Sequence, residues 1–193
     1  MQRRTFLLAG SGAIALAGCA ENKPQFKAVD ITGADYAKDF PLPDVDGRMR
    51  SIQDFKGKAV VVFFGFTQCP DVCPTTLAEI AQAKKLLGPD GDKVVGVLVT
   101  VDPERDKPET LKAYVANFGT DFVALRGSPE QTAEVAKDFK VFYKKVDLKS
   151  GGYTMEHSAA SYVYDPQGRL RLYSRYGSGA QALADDLKLL LKA

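Results

Sequence analysis

The chain is sparing in the side chains that most often carry chemistry. Its 193 residues hold one histidine and three cysteines. So few cysteines exclude a disulfide framework of the kind that stabilises small secreted domains. No basic run and no interleaving of basic and aromatic residues appears, which leaves no electrostatic footprint for nucleic acid. The apolar stretch 5–17 is too short to cross a bilayer as a helix, which takes roughly 20 apolar residues. There is no internal repeat and no low-complexity block.

What is present at the start reads as an export signal. Arg3 and Arg4 form a basic head, the apolar stretch follows, and Leu16-Ala17-Gly18-Cys19 has the form of a lipoprotein cleavage box. The run Arg3-Arg4-Thr5-Phe6-Leu7 also resembles a twin-arginine signal. Residues 1–18 are therefore expected to be a lipoprotein-type signal peptide, with Cys19 acylated. Without the two arginines of that segment, the 26 basic side chains become 24, against 24 acidic ones. A neutral mature chain would reach a membrane through its lipid rather than its charge. Residues 19–38, polar and without period, read as a tether with a reach of at most about 60 Å. Residues 39–193 read as one domain. The expected location is a bacterial membrane, with the domain facing the periplasm or cell exterior.

The pattern of that domain is α/β. Two short strands near 40–44 and 49–52 suggest an N-terminal β-hairpin. The runs 59–66 (AVVVFFGF) and 94–101 (VVGVLVTV) are unbroken apolar stretches rich in β-branched residues, as central strands covered on both faces are. Helical spacing covers 75–87, then 108–118 with proline first and glycine after. A capping box at Ser128-Pro129-Glu130-Gln131 opens a third helix, running to about Phe139. A hairpin over 161–164 and 170–174 and a terminal helix with Leu183, Leu187 and Leu190 on one stripe complete the order. Strand–helix alternation followed by a late hairpin predicts a mixed central sheet with helices on both faces, the thioredoxin-like arrangement.

Cys69 and Cys73 sit in FGFTQCPDVCP, just after the first central strand. Residues four apart on a turn bring their Cβ atoms to roughly 5–6 Å. That suits either one metal ion or a redox disulfide. Pro74 argues against Cys73 lying deep inside a helix, so the helix is expected to start near Pro74. Both sulfurs would face its N-terminus, which favours thiolate. Three intervening residues, rather than the two common in dithiol oxidoreductases, open the bite toward a metal. His157, in the glycine-containing segment GGYTMEHS, is expected on a loop that would pack beside the thiols. Two thiols and an imidazole suit a soft or borderline transition metal, and zinc is chemically compatible with them. They equally suit a redox pair with a neighbour, and a plain structural disulfide is the third option. Met155 is a candidate fourth ligand or a packing residue. Asp71 reads as a solvated loop acid. Asp102 reads as an acceptor behind the site or a turn cap. The activated cysteine with arginine and threonine that a thiol peroxidase needs is not this pattern.

FGFTQCPDVCP, VDPERDKPETLKAYV and the Tyr-x-x-x-His segment followed by SAASYVYDPQGRL together resemble the Sco/SenC family of copper proteins, over residues 39 to the C-terminus. The resemblance implies a membrane-tethered thioredoxin-like domain. Copper would be held by Cys69, Cys73 and His157, as Cu(I) or Cu(II). It implies a metallochaperone that takes copper from an upstream donor and passes it to the copper-bearing subunit of cytochrome c oxidase, rather than an enzyme. The alternative is a thiol–disulfide oxidoreductase, with Cys69 and Cys73 as its redox pair, that keeps the recipient's cysteines reduced. Gln68 stands where the family often has histidine, and Glu156 where it often has aspartate.

Overall fold

A computed structural model describes residues 24–192. The signal peptide and the lipid attachment expected at Cys19 lie outside the described residues. Among those residues no helix is long and apolar enough to cross a membrane.

The fold is built on two strands that sequence alone marks plainly. β1 (Val29–Asp30), β2 (Leu42–Pro43) and β3 (Met49–Arg50) come first, then β4 (Ala59–Gly65), every residue of which is buried. Helix α1 (Val72–Leu86) leads to the equally buried β5 (Val94–Thr100). These two strands pair in parallel, Ala59 opposite Val94 through Gly65 opposite Thr100. Buried valine or phenylalanine contributes about 1.5–3 kcal/mol per side chain over exposure. Five such large apolar side chains on each strand, with Leu98 counted among those of β5, therefore fix them at the centre.

Helix α2 (Pro108–Ala116), β6 (Val123–Leu125) and helix α3 (Pro129–Asp138) follow. The predicted capping box opens α3: Ser128 Oγ accepts the Gln131 N–H at 3.2 Å, and Gln131 Oε1 accepts the Ser128 N–H at 2.9 Å. A hairpin, β7 (Tyr143–Asp147) with β8 (Tyr153–His157), stands as a separate two-stranded sheet. Then come β9 (Ser161–Tyr164), β10 (Leu170–Ser174) and helix α4 (Ala180–Leu190). The main sheet runs β1-β10-β9-β4-β5-β6, with β4, β5 and β6 parallel and the other pairings antiparallel. The N-terminal hairpin is β2 with β3.

Side chains alternate across β4, and this sorts the helices. Gly65, on the face shared with Val61 and Phe63, lies against Cys73 of α1, and α1 packs on α4. Phe64, on the opposite face, meets Phe139 beyond α3 at 5.0 Å between ring centroids; Phe139 in turn meets Tyr162 at 5.1 Å. Helical segments thus cover both faces, and the fold is thioredoxin-like.

Three expectations need correction. The fold begins before Asp39. β1 pairs with β10, and the buried carboxylate of Asp186 accepts the N–H groups of Lys27 and Ala28 at 2.7 and 2.8 Å. A two-residue strand is too short to show a period, so a segment that docks reads as tether. Helix α1 starts at Val72, ahead of the expected Pro74. Pro74 is then the third helical residue, where the missing N–H would have had no partner in any case. His157 ends a strand rather than lying in a loop. The β7–β8 hairpin lacks an apolar alternation, because Lys144 and Lys145 are exposed on opposite faces and the remaining positions are exposed or only half-buried.

Candidate metal centre

The two cysteines are placed by the junction from β4 to α1. Cys73, in the first turn of α1, is fully buried, and Cys69 is half-buried. Only glycine at position 65 allows this approach. A Cβ there would stand 2.8 Å from Cys73 Sγ and 2.7 Å from a ring carbon of Phe63. Cys69 Sγ accepts the Cys73 N–H at 3.4 Å. The sulfur thereby occupies a helix-capping role, since Asp71, at the N-cap, accepts no such bond.

The stretch between strand and cysteines is anchored by a residue that the sequence reading passed over. Asp106 is fully buried. Its carboxylate accepts the hydroxyls of Thr67 and Thr100, both at 2.6 Å, and the Thr67 N–H at 3.1 Å. Burial pushes its carboxyl above the usual range, and these donors act against that shift. VDPERD marks a turn in the sequence, but nothing in it says that the last aspartate faces inward.

His157 arrives from β8. Its ring is held edge-on by Phe63 at 5.9 Å and Phe66 at 5.8 Å between centroids. Nδ1 lies 2.9 Å from the Ser158 carbonyl. A carbonyl only accepts, so Nδ1 carries the proton. Burial lowers the imidazole's pKa and keeps the ring neutral, although the Ser158 bond acts the other way. Nε2 therefore offers a lone pair, and it points at Cys73 Sγ, 3.5 Å away. This tautomer is the one a metal ligand needs.

The ligand atoms of Cys69, Cys73 and His157 all lie within 4.8 Å of one another. Two donors on one ion, with bonds of about 2.0–2.3 Å, stand up to about 4.6 Å apart. A small contraction would close the three around a single metal. The helix N-terminus, expected to favour thiolate at both sulfurs, is outweighed by burial at Cys73 in the metal-free protein. Burial pushes its thiol far above the ordinary range, outweighing a hydrogen bond from the Phe66 backbone. Without metal the Cys73 S–H is a donor to His157 Nε2, and a metal would replace that proton.

Met155 shares the His157 side of β8 by alternation, and it lines a cleft of about 340 Å³ with Val101, Pro103 and Tyr143. It is a half-buried side chain packed against the core. Asp71 is exposed and accepts the Thr75 hydroxyl at 3.4 Å. Asp102 touches none of the three donors. It accepts the Tyr153 hydroxyl at 2.9 Å and an ion pair from Arg105, so it acts on the hairpin rather than on the ligands.

The SCO1/SenC family model matches residues 29–192. The chain belongs to the SCO1/SenC family. Among curated relatives, the SCO2-like protein RP587 of Rickettsia prowazekii is 39% identical over 132 residues, covering 67% of this chain and 64% of its own. Protein sco1 of Schizosaccharomyces pombe is 37% identical over 134 residues, 67% of this chain and 51% of its own. The match thus spans about half to two thirds of these relatives. Among solved structures, Bradyrhizobium japonicum ScoI with copper bound is 40% identical with a TM-score of 0.71, covering 79% of this chain and 97% of that one. Apo Sco1 of Thermus thermophilus is 36% identical with a TM-score of 0.76, covering 88% and 99%. The family model begins at the first residue of β1, in keeping with a fold that starts ahead of Asp39.

Proposed function

We propose that this SCO1/SenC member is a copper carrier: Cys69, Cys73 and His157 bind one copper ion and release it to the copper-bearing subunit of cytochrome c oxidase. The observation that carries the reading is the clustering of two sulfurs and one correctly tautomeric imidazole within 4.8 Å. Soft thiolates select Cu(I), and the imidazole adds the donor that Cu(II) prefers. Cys69 and His157 are each only half-buried, which leaves the ion open to ligand exchange. Copper bound to a relative 40% identical over most of the domain supports the same assignment. Oxidase as recipient rests on the family, one solved member of which is described as belonging to the Sco family of cytochrome c oxidase assembly proteins.

Anchoring through a lipid on Cys19, with the domain outside the cytoplasmic membrane, completes the reading. The docking of Lys27 and Ala28 on Asp186 shortens the leash. From Cys19 to Phe26 the chain spans at most about 25 Å, well short of the 60 Å of a tether reaching residue 38. Recipient and donor sites would have to lie close to the bilayer.

A thiol–disulfide exchange role is the second reading, favoured by two free cysteines one turn apart. Cys69 thiolate would attack a partner disulfide, and Cys73 would then release the reduced partner, leaving Cys69–Cys73 oxidised. The raised pKa of the Cys73 thiol weighs against the second step. The test is complementation of a deletion strain at scarce copper. Wild type restores a metallated oxidase under the carrier reading and His157→Ala does not. Full restoration by His157→Ala would overturn the carrier reading in favour of thiol exchange.

A further inference from the structure

The metal donors come from two parts of the molecule with no shared sheet. The cysteines follow β4, whereas His157 ends a hairpin that, among the described residues, pairs only with itself. Something must set the distance between them. One side chain reaches both. Arg105 Nη1 donates to Gln68 Oε1 at 3.0 Å, next to Cys69 in sequence, and to the Tyr153 carbonyl at 2.8 Å, four residues before His157 on β8. Its Nε is paired with the buried carboxylate of Asp102, whose other oxygen accepts the Tyr153 hydroxyl at 2.9 Å. The guanidinium lies over the Tyr153 ring at 3.6 Å and near Phe66 at 5.9 Å, and Phe66 is one of the two rings that hold the imidazole. Lys145 closes the far side, 3.8 Å over the same tyrosine ring and 3.1 Å from Glu104.

We propose that Arg105 is the positioning residue of the metal centre: its planar fork ties the Cys69 loop to the His157 strand and so fixes how far the imidazole stands from the sulfurs, without touching the ion. The proposal rests on the copper-carrier reading. Its chemistry is that of a guanidinium, because three bonds in fixed directions and a stacked face are needed at once, and an ammonium cannot supply them. The Nη2 of Arg105 is buried without a hydrogen-bond partner among the described residues, a cost that structure alone would select against. Gln68 gains a role here as the acceptor that brings the cysteine loop into the clamp.

The inference separates the two copper states. Cu(I) held by two thiolates needs only Cys69 and Cys73, which α1 and Gly65 place. Cu(II) also needs the imidazole. The experiment uses the reduced protein with Cu(I) and with Cu(II), in wild type, Arg105→Lys and Gln68→Ala. Gln68 is exposed, so its replacement leaves the core intact and cuts only the loop arm. The expected result for Arg105→Lys is Cu(I) affinity within about threefold of wild type, Cu(II) affinity lowered about 10–100-fold, and a shifted thiolate-to-Cu(II) absorption band. Gln68→Ala should shift the same quantities in the same direction by a smaller factor. In the metal-free protein, amide exchange of 153–157 should accelerate in Arg105→Lys while that of β4 and β5 does not.

Cu(II) binding unchanged in both variants would overturn the proposal. So would equal loss of Cu(I) and Cu(II) with exchange accelerated throughout the sheet, since that describes a merely structural residue. Failure of the parent reading looks different: wild type itself would give no thiolate-to-Cu(II) band.

Discussion

Gly65→Ala tests whether the metal site and the core share one packing problem. The added Cβ would stand 2.8 Å from Cys73 Sγ and 2.7 Å from Phe63. Ordinary contact begins near 3.4 Å, so each neighbour must retreat by roughly 0.6 Å or more. Neither has free space, because Phe63 and Cys73 are both fully buried. Overpacking of this size costs about 1–3 kcal/mol. In a domain of this length that lowers Tm by about 3–10 °C. The retreat also moves Cys73 Sγ relative to His157 Nε2, now 3.5 Å away, and copper affinity should fall about tenfold. Gly96→Ala is the control. Its Cβ would meet Phe122 at 2.4 Å, about four residues or ~13 Å along the sheet from the site, so it should destabilise comparably and leave copper affinity alone. Thermal unfolding and copper competition on the reduced proteins read both quantities. Gly65→Ala with wild-type stability and affinity would refute the reasoning. Equal loss of affinity in the two variants would also refute it, because the coupling would then be global.

Other consequences follow from individual groups. The Cys73 thiol has a raised pKa in the folded state, so its contribution to stability is complete below the unfolded thiol's pKa, near 8.5, and is lost as pH rises above it. Urea titrations of reduced, metal-free protein between pH 7.5 and 9.5 should show wild type losing up to about 1.4 kcal/mol per pH unit relative to Cys73→Ser at the upper end; a constant difference would contradict the burial argument. Asp106→Ala leaves the Thr67 N–H and two threonine hydroxyls without their acceptor, and should cost about 2–4 kcal/mol in chemical denaturation. A loss under 1 kcal/mol would mean the loop has another anchor. Asp186→Ala releases the N–H groups of Lys27 and Ala28; amides 27–30 should exchange faster while β4 keeps its protection, and unchanged exchange there would return residue 30 and its neighbours to an independently docked strand.

The parts of the fold that sequence makes legible are those whose burial is complete. β4 and β5 are apolar at every position because both faces are covered, and Ser128 with Gln131 writes a helix start in four letters. The candidate donors are legible too, because cysteine and histidine are so rare in this chain. The arrangement around them is not. β7 and β8 expose Lys144, Lys145, Asp147 and Glu156 and only half-bury the rest, and Lys144 and Lys145 fall on opposite faces, so no apolar alternation marks them. Pro74 masked the first turn of α1, where a proline is harmless. Arg105 and Asp106 sit beside a turn signal, yet their partners lie about 40 residues upstream at Gln68 and Thr67 and, for Arg105, downstream at Tyr153. Such pairings arise from the topology of the sheet, which no local spacing encodes.

X-ray absorption at the copper edge of the loaded domain bears most directly on the central claim. The account predicts two sulfurs and one imidazole nitrogen around a single Cu(II), with the imidazole scattering gone in His157→Ala and both sulfurs kept. A copper environment of oxygen and nitrogen without sulfur, or one that His157→Ala leaves unchanged, would contradict it.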